Sequence, residues 1–290
     1  MSWVQRDLRR EDGTPLRAWR GGEGDLDVLL VPGFFGDVDV FAGLLGILAP
    51  RARLHSWDLR GLGDGERSVD LEDHASDGLR VLDAAEAREV VLIGYGAGAP
   101  IAAEITRQAP ERVIGFISIA GVFGGPVERI LRRFVGPAAE SLPLALGAGA
   151  LAGRGHRVPV WLADALRSRW TVRSLRVIGL IGEHGDPRPL EEALVRTFGR
   201  DAGAQAAAWS ALAEYLVEGA RVDIAVPSLW LSGARDPLAG PMVARLAAAG
   251  ATTPHLRVVR GGGHLLPLEQ PELLGLWIED FLAEHGLFKD

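Results

Sequence analysis

Short apolar stretches alternate with stretches of helical periodicity over the first 121 residues of this 290-residue chain. Apolar runs that end at Gly or Pro are typical of buried strands, and apolar residues three and four apart are typical of amphipathic helices. The strands predicted in this way are "DVLLVPG" (27–33), "ARLHSWDLRG" (52–61), "EVVLIG" (89–94) and "RVIGFISIAG" (112–121). The predicted helices are "VFAGLLGILA" (40–49), with Asp39 as its cap, "LEDHASDGLRVLDAAEA" (71–87) and "IAAEITRQAP" (101–110).

The alternation stops between about Val122 and Ala220, where the pattern is largely helical with Gly and Pro interruptions. It resumes with the strand "VPSLWLSGARD" (226–236), the helix "PMVARLAAAG" (241–250), the strand "PHLRVV" (254–259) and the helix "PELLGLWIEDFLAEHG" (271–286). This order predicts an α/β fold with a mostly parallel sheet and helices on both faces. The helical insertion, residues 122–220, predicts a cap or lid on a core formed by residues 1–121 and 221–290.

The composition excludes several classes of function. The formal charge is −7 and the basic residues are scattered, so no nucleic-acid-binding surface is predicted. The chain has no cysteine, which excludes disulfides, zinc-thiolate sites and a thiol nucleophile. The sequence shows no metal-ligand spacing. It also shows no phosphate-binding loop, because no G-x-G-x-x-G follows the first predicted strand. We therefore expect neither a metal nor another cofactor.

The N-terminal segment and the longest apolar stretch predict where the protein is located in the cell. The N-terminal sequence "MSWVQRDLRRED" has no apolar segment after its charges, so no signal peptide is predicted. The stretch "LPLALGAGALAG" (142–153) is too short and too rich in Gly to cross a membrane. We expect a soluble, cytoplasmic protein whose partner is a small-molecule substrate, with the oligomeric state left open.

The segment "GYGAGAP" (94–100) follows a predicted strand and precedes a predicted helix. A sharp strand-to-helix turn of the form G-x-S-x-G presents the nucleophilic serine in one large group of enzymes. In this chain the central position is Gly96. Ser118 and Ser232 fall within predicted strands and are expected to be structural, so no other hydroxyl replaces the missing serine.

Five segments in this order make the chain resemble a capped protein of the α/β-hydrolase superfamily over essentially its whole length. They are "VLLVPGFFGD", "WDLRGLGDGE", "GYGAGAP", "LSGARDP" and "GGGHLLPLEQPE". The resemblance implies that Asp236 and His264 are the catalytic acid and histidine, since the fold uses the chain order nucleophile, acid, histidine. In that role His264 is the general base and Asp236 fixes its tautomer. The structural alternative for Asp236 is a turn residue before Pro237.

The resemblance also implies an oxyanion hole made of two backbone N–H groups, those of Ala97 and Phe34. The common His-Gly pair of the second loop is Pro32-Gly33 here, which leaves the backbone donor in place. Candidate pocket residues are Phe35 and Tyr95, together with Trp161 and Trp170 of the predicted cap. Packing of the cap against the sheet is the alternative role for the aromatic residues.

Glycine at the centre of the turn leaves three interpretations open. The first is an enzyme that uses His264 and Asp236 as a general base on a small, largely apolar carbonyl or ester substrate, without an acyl-enzyme. The second is a non-catalytic ligand-binding protein of the same fold, a pseudoenzyme. The third is a serine hydrolase inactivated by a substitution at position 96. Retention of the histidine and the acid in their usual contexts favours the first.

Overall fold

The computed structural model describes residues 2–33, 38–60, 71–123, 176–177, 179–183 and 222–288. Within them lies one eight-stranded sheet with the strand order β1-β2-β4-β3-β5-β6-β7-β8. The strands are β1 (Val4–Arg9), β2 (Pro15–Gly21), β3 (Leu26–Val31), β4 (Ala52–Trp57), β5 (Val90–Tyr95), β6 (Val113–Ile119), β7 (Ile224–Gly233) and β8 (Ala251–Val259).

The sheet is mostly parallel, as the alternation of strands and helices predicts. Each neighbouring pair from β4 through β8 is parallel, and β2 is antiparallel to both β1 and β4. The α/β fold class is therefore confirmed. The hairpin of β1 and β2 was not predicted, because its strands carry charged residues on partly solvated faces and lack an apolar run.

The described helices lie on both sides of the sheet. They are α1 (Ala42–Leu48), α2 (Leu71–Ala84), α3 (Gly98–Gln108), α4 (Pro241–Ala248), α5 (Leu266–Glu269) and α6 (Pro271–Glu284), with 3₁₀ turns at Val38–Phe41 and Pro110–Arg112. The predicted cap of α1 is wrong: the N-cap is Phe41, because the chain first makes a 3₁₀ turn that contains Asp39. Helix α3 begins three residues earlier than predicted, at Gly98.

Two apolar clusters cover the two faces of the sheet. Every residue of β3 and of β5 is buried, and alternate side chains of β3 enter opposite clusters. One cluster is shared with α1 and α6, and the other with α2 and α3. The central strands are thus fixed from both sides, which makes their carboxyl ends a rigid platform.

The carboxyl ends of β5, β7 and β8 meet at one edge of this platform. Gly96 follows β5, Asp236 follows β7 and His264 follows β8. Most of the predicted cap lies outside the described residues, so the domain division stays a prediction. None of the helices described here is long and apolar enough to cross a membrane.

Candidate active site

The turn from β5 into α3, residues 94–98, is called the elbow here. Gly96 has a φ of +56°, in the left-handed region that a residue with a side chain rarely adopts. Its N–H donates to the carbonyl of Ile119, and its own carbonyl accepts the N–H of Val122. The elbow is therefore hydrogen-bonded to the end of the neighbouring strand β6 and held in this conformation.

The two outer glycines of the elbow are required by close approach. A Cβ on Gly94 would lie 2.4 Å from the Cα of Ala99, and one on Gly98 would lie 2.1 Å from the carbonyl oxygen of Val31. Both contacts are with backbone atoms, so neither can be relieved by rotating a side chain. These glycines let β5 and α3 pack closely enough to form the sharp turn.

His264 and Asp236 form a buried hydrogen-bonded pair. The Nδ1–H of His264 donates to Oδ2 of Asp236 over 2.9 Å, and the Asp236 side chain has no exposed surface. The other oxygen, Oδ1, accepts the N–H groups of Leu238 at 2.8 Å and Ala239 at 3.0 Å. Because a carboxylate only accepts hydrogen bonds, this arrangement places a proton on Nδ1, so that Nε2 is the acceptor nitrogen of the neutral imidazole.

The histidine ring faces the centre of the elbow. A Cβ on Gly96 would lie 3.6 Å from Nε2 of His264 and 3.9 Å from its Cε1, and no other described atom would come within 4 Å. The structure thus brings together three of the sequence-predicted site residues, Gly96, Asp236 and His264. The acceptor nitrogen points to the space where a side chain at position 96 would stand.

The remaining predicted site residues divide into two groups. Ala97 is the N-cap of α3, where the first backbone N–H groups of a helix have no intrahelical acceptor. Tyr95 is buried in the core, where its ring is nearly perpendicular to that of Phe41, and its centroid is 5.7 Å from that of His264. Four predicted residues lie outside the described residues: Phe34, Phe35, Trp161 and Trp170.

The two serines predicted to be structural lie within strands of the sheet. Ser118 in β6 and Ser232 in β7 are both buried. No cluster of three or more metal-ligating side chains occurs in the part of the chain that the structure describes.

Comparison with known proteins identifies the family. The sequence pattern of the "Alpha/beta hydrolase family" matches residues 28–274, from β3 to α6. The chain belongs to the alpha/beta hydrolase family.

Proteins similar to this alpha/beta hydrolase differ in sequence identity and in the length of chain over which they match it. A pimeloyl-[acyl-carrier protein] methyl ester esterase of Pectobacterium carotovorum is 32% identical over 101 residues, which is 34% of this chain and 38% of that protein. A hydrolase of Pseudomonas aeruginosa has a similar structure, with a TM-score of 0.73 and 18% identity over 96% of this chain and 98% of its own. An enol-lactonase of Burkholderia xenovorans has a TM-score of 0.66 and 18% identity over 94% and 98%.

The D-x-R segment of this hydrolase, which begins at Asp58, has a structural role. Asp58 accepts hydrogen bonds from Arg17 at 2.9 Å and from the indole of Trp19 at 2.7 Å, both in β2. Arg60 makes two bonds of 2.7 Å to Asp77, which is fully buried in α2. The motif therefore joins the end of β4 to the N-terminal hairpin and to α2.

A cleft of about 610 Å³ lies at the opposite end of the sheet, between the N-terminal hairpin and the end of α2. Its lining includes Arg6, Arg20, Arg53 and His55. Two of these lining residues pair with Asp27: Arg53 at 2.7 Å and Nε2 of His55 at 2.9 Å. Ligands of open α/β sheets bind at the carboxyl ends of the strands, so this cleft is separate from the candidate active site.

Glu269 supports the loop that carries His264 and is not predicted as a site residue from the sequence. Its carboxylate accepts the N–H groups of Gly263 at 2.9 Å and Leu265 at 3.1 Å. Burial raises the pKa of Glu269, while bonds from these N–H groups and from Gly182 oppose that rise. An acid five residues after the histidine, at the end of a short helix, is the only signal that the sequence offers for it.

Proposed function

We propose that this alpha/beta hydrolase acts on a small, largely apolar carbonyl or ester substrate, with His264 as general base and no acyl-enzyme. The observation that carries the proposal is the 3.6 Å between Nε2 of His264 and the Cβ position of Gly96. Because the glycine has no side chain, a water molecule or a substrate atom can occupy that space. A buried partner, Asp236, already sets the tautomer that such a base needs.

The reaction proposed is direct hydrolysis. Nε2 of His264 takes a proton from a water held above Gly96, and the water oxygen forms a bond to the substrate carbonyl carbon. The carbonyl electrons move to the oxygen, giving a tetrahedral oxyanion, while the Asp236 carboxylate stabilises the imidazolium. When the oxyanion collapses, the bond to the leaving group breaks and His264 returns its proton to the leaving oxygen.

The oxyanion is assigned to the start of α3. The backbone N–H of Ala97 belongs to the elbow, at the N-cap of α3, and the N-terminal end of a helix favours negative charge. The N–H of Phe34 is the second proposed donor. Removing one donor of this kind in other enzymes costs about 10²- to 10³-fold in turnover, so these groups supply a substantial part of the proposed rate.

The substrate class rests on family relationships and on the predicted pocket. A methyl ester esterase and an enol-lactonase are among the similar proteins, and both names describe hydrolysis at an acyl carbon. The chain spans less than two fifths of the length of that esterase, so the substrate is proposed only as a class. Phe35, Trp161 and Trp170 are the residues we propose to line an apolar pocket, whereas the side chain of Tyr95 is buried in the core.

The test compares the unmodified protein with His264→Gln and Asp236→Asn on p-nitrophenyl acetate, p-nitrophenyl butyrate and γ-butyrolactone. We expect hydrolysis above the buffer rate, and a fall of at least about 10²-fold in both variants. One turnover in H₂¹⁸O should place the label in the acid product, and intact-mass spectra should show no acyl adduct. The variant His285→Gln, at the end of α6, controls for loss of an imidazole elsewhere.

Equal activity in the unmodified protein and in His264→Gln would exclude the proposed base. The second candidate is a ligand-binding protein, favoured by the absence of a nucleophile at position 96. It would be supported if the unmodified protein is inert towards every substrate but binds an unreactive amide or ether analogue with a measurable heat, and if His264→Gln leaves that affinity unchanged.

A further inference from the structure

The loop that carries His264 contains three consecutive glycines, Gly261 to Gly263. Glycine has the largest backbone freedom of any residue, so such a loop does not hold a side chain in place by itself. Function at the elbow nevertheless requires the imidazole within about 0.5 Å of its working position. Something outside the glycine run must fix the backbone on both sides of the histidine.

Glu269 supplies those contacts. Its Oε2 accepts the N–H of Gly263 at 2.9 Å, and its Oε1 accepts the N–H of Leu265 at 3.1 Å. The residue between them, His264, donates its own N–H to the carbonyl of Leu180 over 3.1 Å. Three successive backbone N–H groups of the loop therefore each have an acceptor, and the carboxylate holds the first and the third.

Glu269 is itself fixed relative to the loop. Its backbone N–H donates to the carbonyl of Leu265 over 3.0 Å, while its side chain receives the N–H of the same residue. The carboxylate also receives the N–H of Gly182, from a segment whose residue Glu183 donates its N–H to Gly261 over 2.8 Å. The side chain thus links α5, the glycine loop and residues 179–183.

We propose that Glu269 is the positioning residue for His264: its two carboxylate oxygens bind the N–H groups on either side of the histidine and so aim the imidazole at the elbow. That this positioning serves catalysis rests on the proposed function, whereas the contacts themselves do not depend on it. A glutamine cannot replace the carboxylate, because its NH₂ group would face one of the two backbone donors.

The test uses Glu269→Gln, which keeps the shape, and Glu269→Asp, which keeps the charge but shortens the reach. The matched control is Glu272→Gln, which removes a charge three residues away at an exposed position of α6. Circular dichroism establishes that each variant is folded at the temperature of the assays. The primary readout does not involve activity: it is the low-field proton resonance of the His264 Nδ1–H, followed in protein labelled with ¹⁵N-histidine.

We expect this resonance to broaden or disappear in both Glu269 variants and to remain in Glu272→Gln. On a substrate of the unmodified enzyme, we expect kcat to fall about 10- to 100-fold with KM changed less than about threefold, because a misplaced group costs rate more than binding. An unchanged resonance in folded Glu269→Gln and Glu269→Asp would overturn the proposal. An inert unmodified protein whose resonance still depends on Glu269 would instead refute only the proposed function.

Discussion

Replacing Gly96 by serine tests whether the histidine is aimed at the elbow. The backbone leaves room for the change: among the residues that the structure describes, the new Cβ would meet only His264, at 3.6 Å from Nε2 and 3.9 Å from Cε1, which are ordinary contact distances. The strain comes from φ of +56°, which costs a residue with a Cβ about 1–2 kcal/mol. We therefore expect Gly96→Ser to fold and to lose a few degrees in Tm.

The hydroxyl oxygen would stand one bond beyond that Cβ. From 3.6 Å, a staggered rotamer can bring Oγ within hydrogen-bond distance of Nε2. Removing the nucleophile of a worked serine protease costs about a million-fold in turnover, which sets an upper limit on what the hydroxyl can restore. For a site that has not been selected around this serine we expect a gain of at least about 10²-fold on activated esters.

The assay measures hydrolysis of p-nitrophenyl butyrate and covalent labelling by a fluorophosphonate, which reacts with activated serines. Gly96→Ala is the matched control, because it carries the same backbone strain without the hydroxyl. Gly96→Ser combined with His264→Ala removes the base. We expect labelling and a rate gain in Gly96→Ser alone.

A folded Gly96→Ser protein that is neither labelled nor faster than Gly96→Ala would contradict this prediction. Nε2 of His264 would then not face position 96 in solution. A large gain would also favour the interpretation that a serine hydrolase has lost its nucleophile, if the unmodified protein is inert towards all acyl substrates.

Three further results are expected. Asp236→Asn should lower the proposed activity by about 10²- to 10⁴-fold with little change in KM, measured by steady-state kinetics, because the amide no longer fixes the Nδ1–H tautomer. Burial tends to raise the pKa of Asp27, but hydrogen bonds from His55 and Arg53 prevail and lower it from 3.8 to about 2. The depressed pKa stabilises the fold above pH 3.8, and the effect is lost as the pH falls through 2. Urea titrations should therefore show that Asp27→Asn lowers the free energy of unfolding by about 2 kcal/mol at pH 7 and by progressively less below pH 4. In thermal melts, Gly98→Ala should destabilise the fold by about 3 kcal/mol or more, because its Cβ would lie 2.1 Å from the carbonyl oxygen of Val31. Gly46→Ala, which has open space around it in helix α1, should instead stabilise the fold by about 0.5–1 kcal/mol.

The buried strands could be predicted from the sequence because burial on both faces requires an unbroken apolar run. Strands β3 and β5 illustrate this, since every residue in each is buried. The hairpin of β1 and β2 could not, because β1 is largely exposed and its charged residues resemble a loop. The predicted start of α3 is three residues late because glycine is a poor helix former, and Gly98 is present because of the close approach to Val31.

The candidate site likewise contains residues that the sequence predicts and residues that it does not. His264 and Asp236 could be predicted because side-chain chemistry and chain order mark them. Glu269 could not, because its partners are backbone N–H groups, which every residue except proline carries. Residue type alone predicts Asp39 as the cap of α1, whereas the intervening 3₁₀ turn moves the N-cap to Phe41.

The three glycines of the elbow differ in how freely evolution can change them. Gly94 and Gly98 face backbone atoms and admit no side chain, so selection for a folded protein retains them whatever the protein does. Of the described residues outside its own turn, Gly96 faces only the histidine. Some glycine codons become serine codons by one nucleotide change. A lineage with this elbow therefore stands a single mutation from a hydroxyl beside an imidazole that is already paired with its acid. A single mutation can therefore create or remove a nucleophile at this position, and neither form is expected to fail to fold.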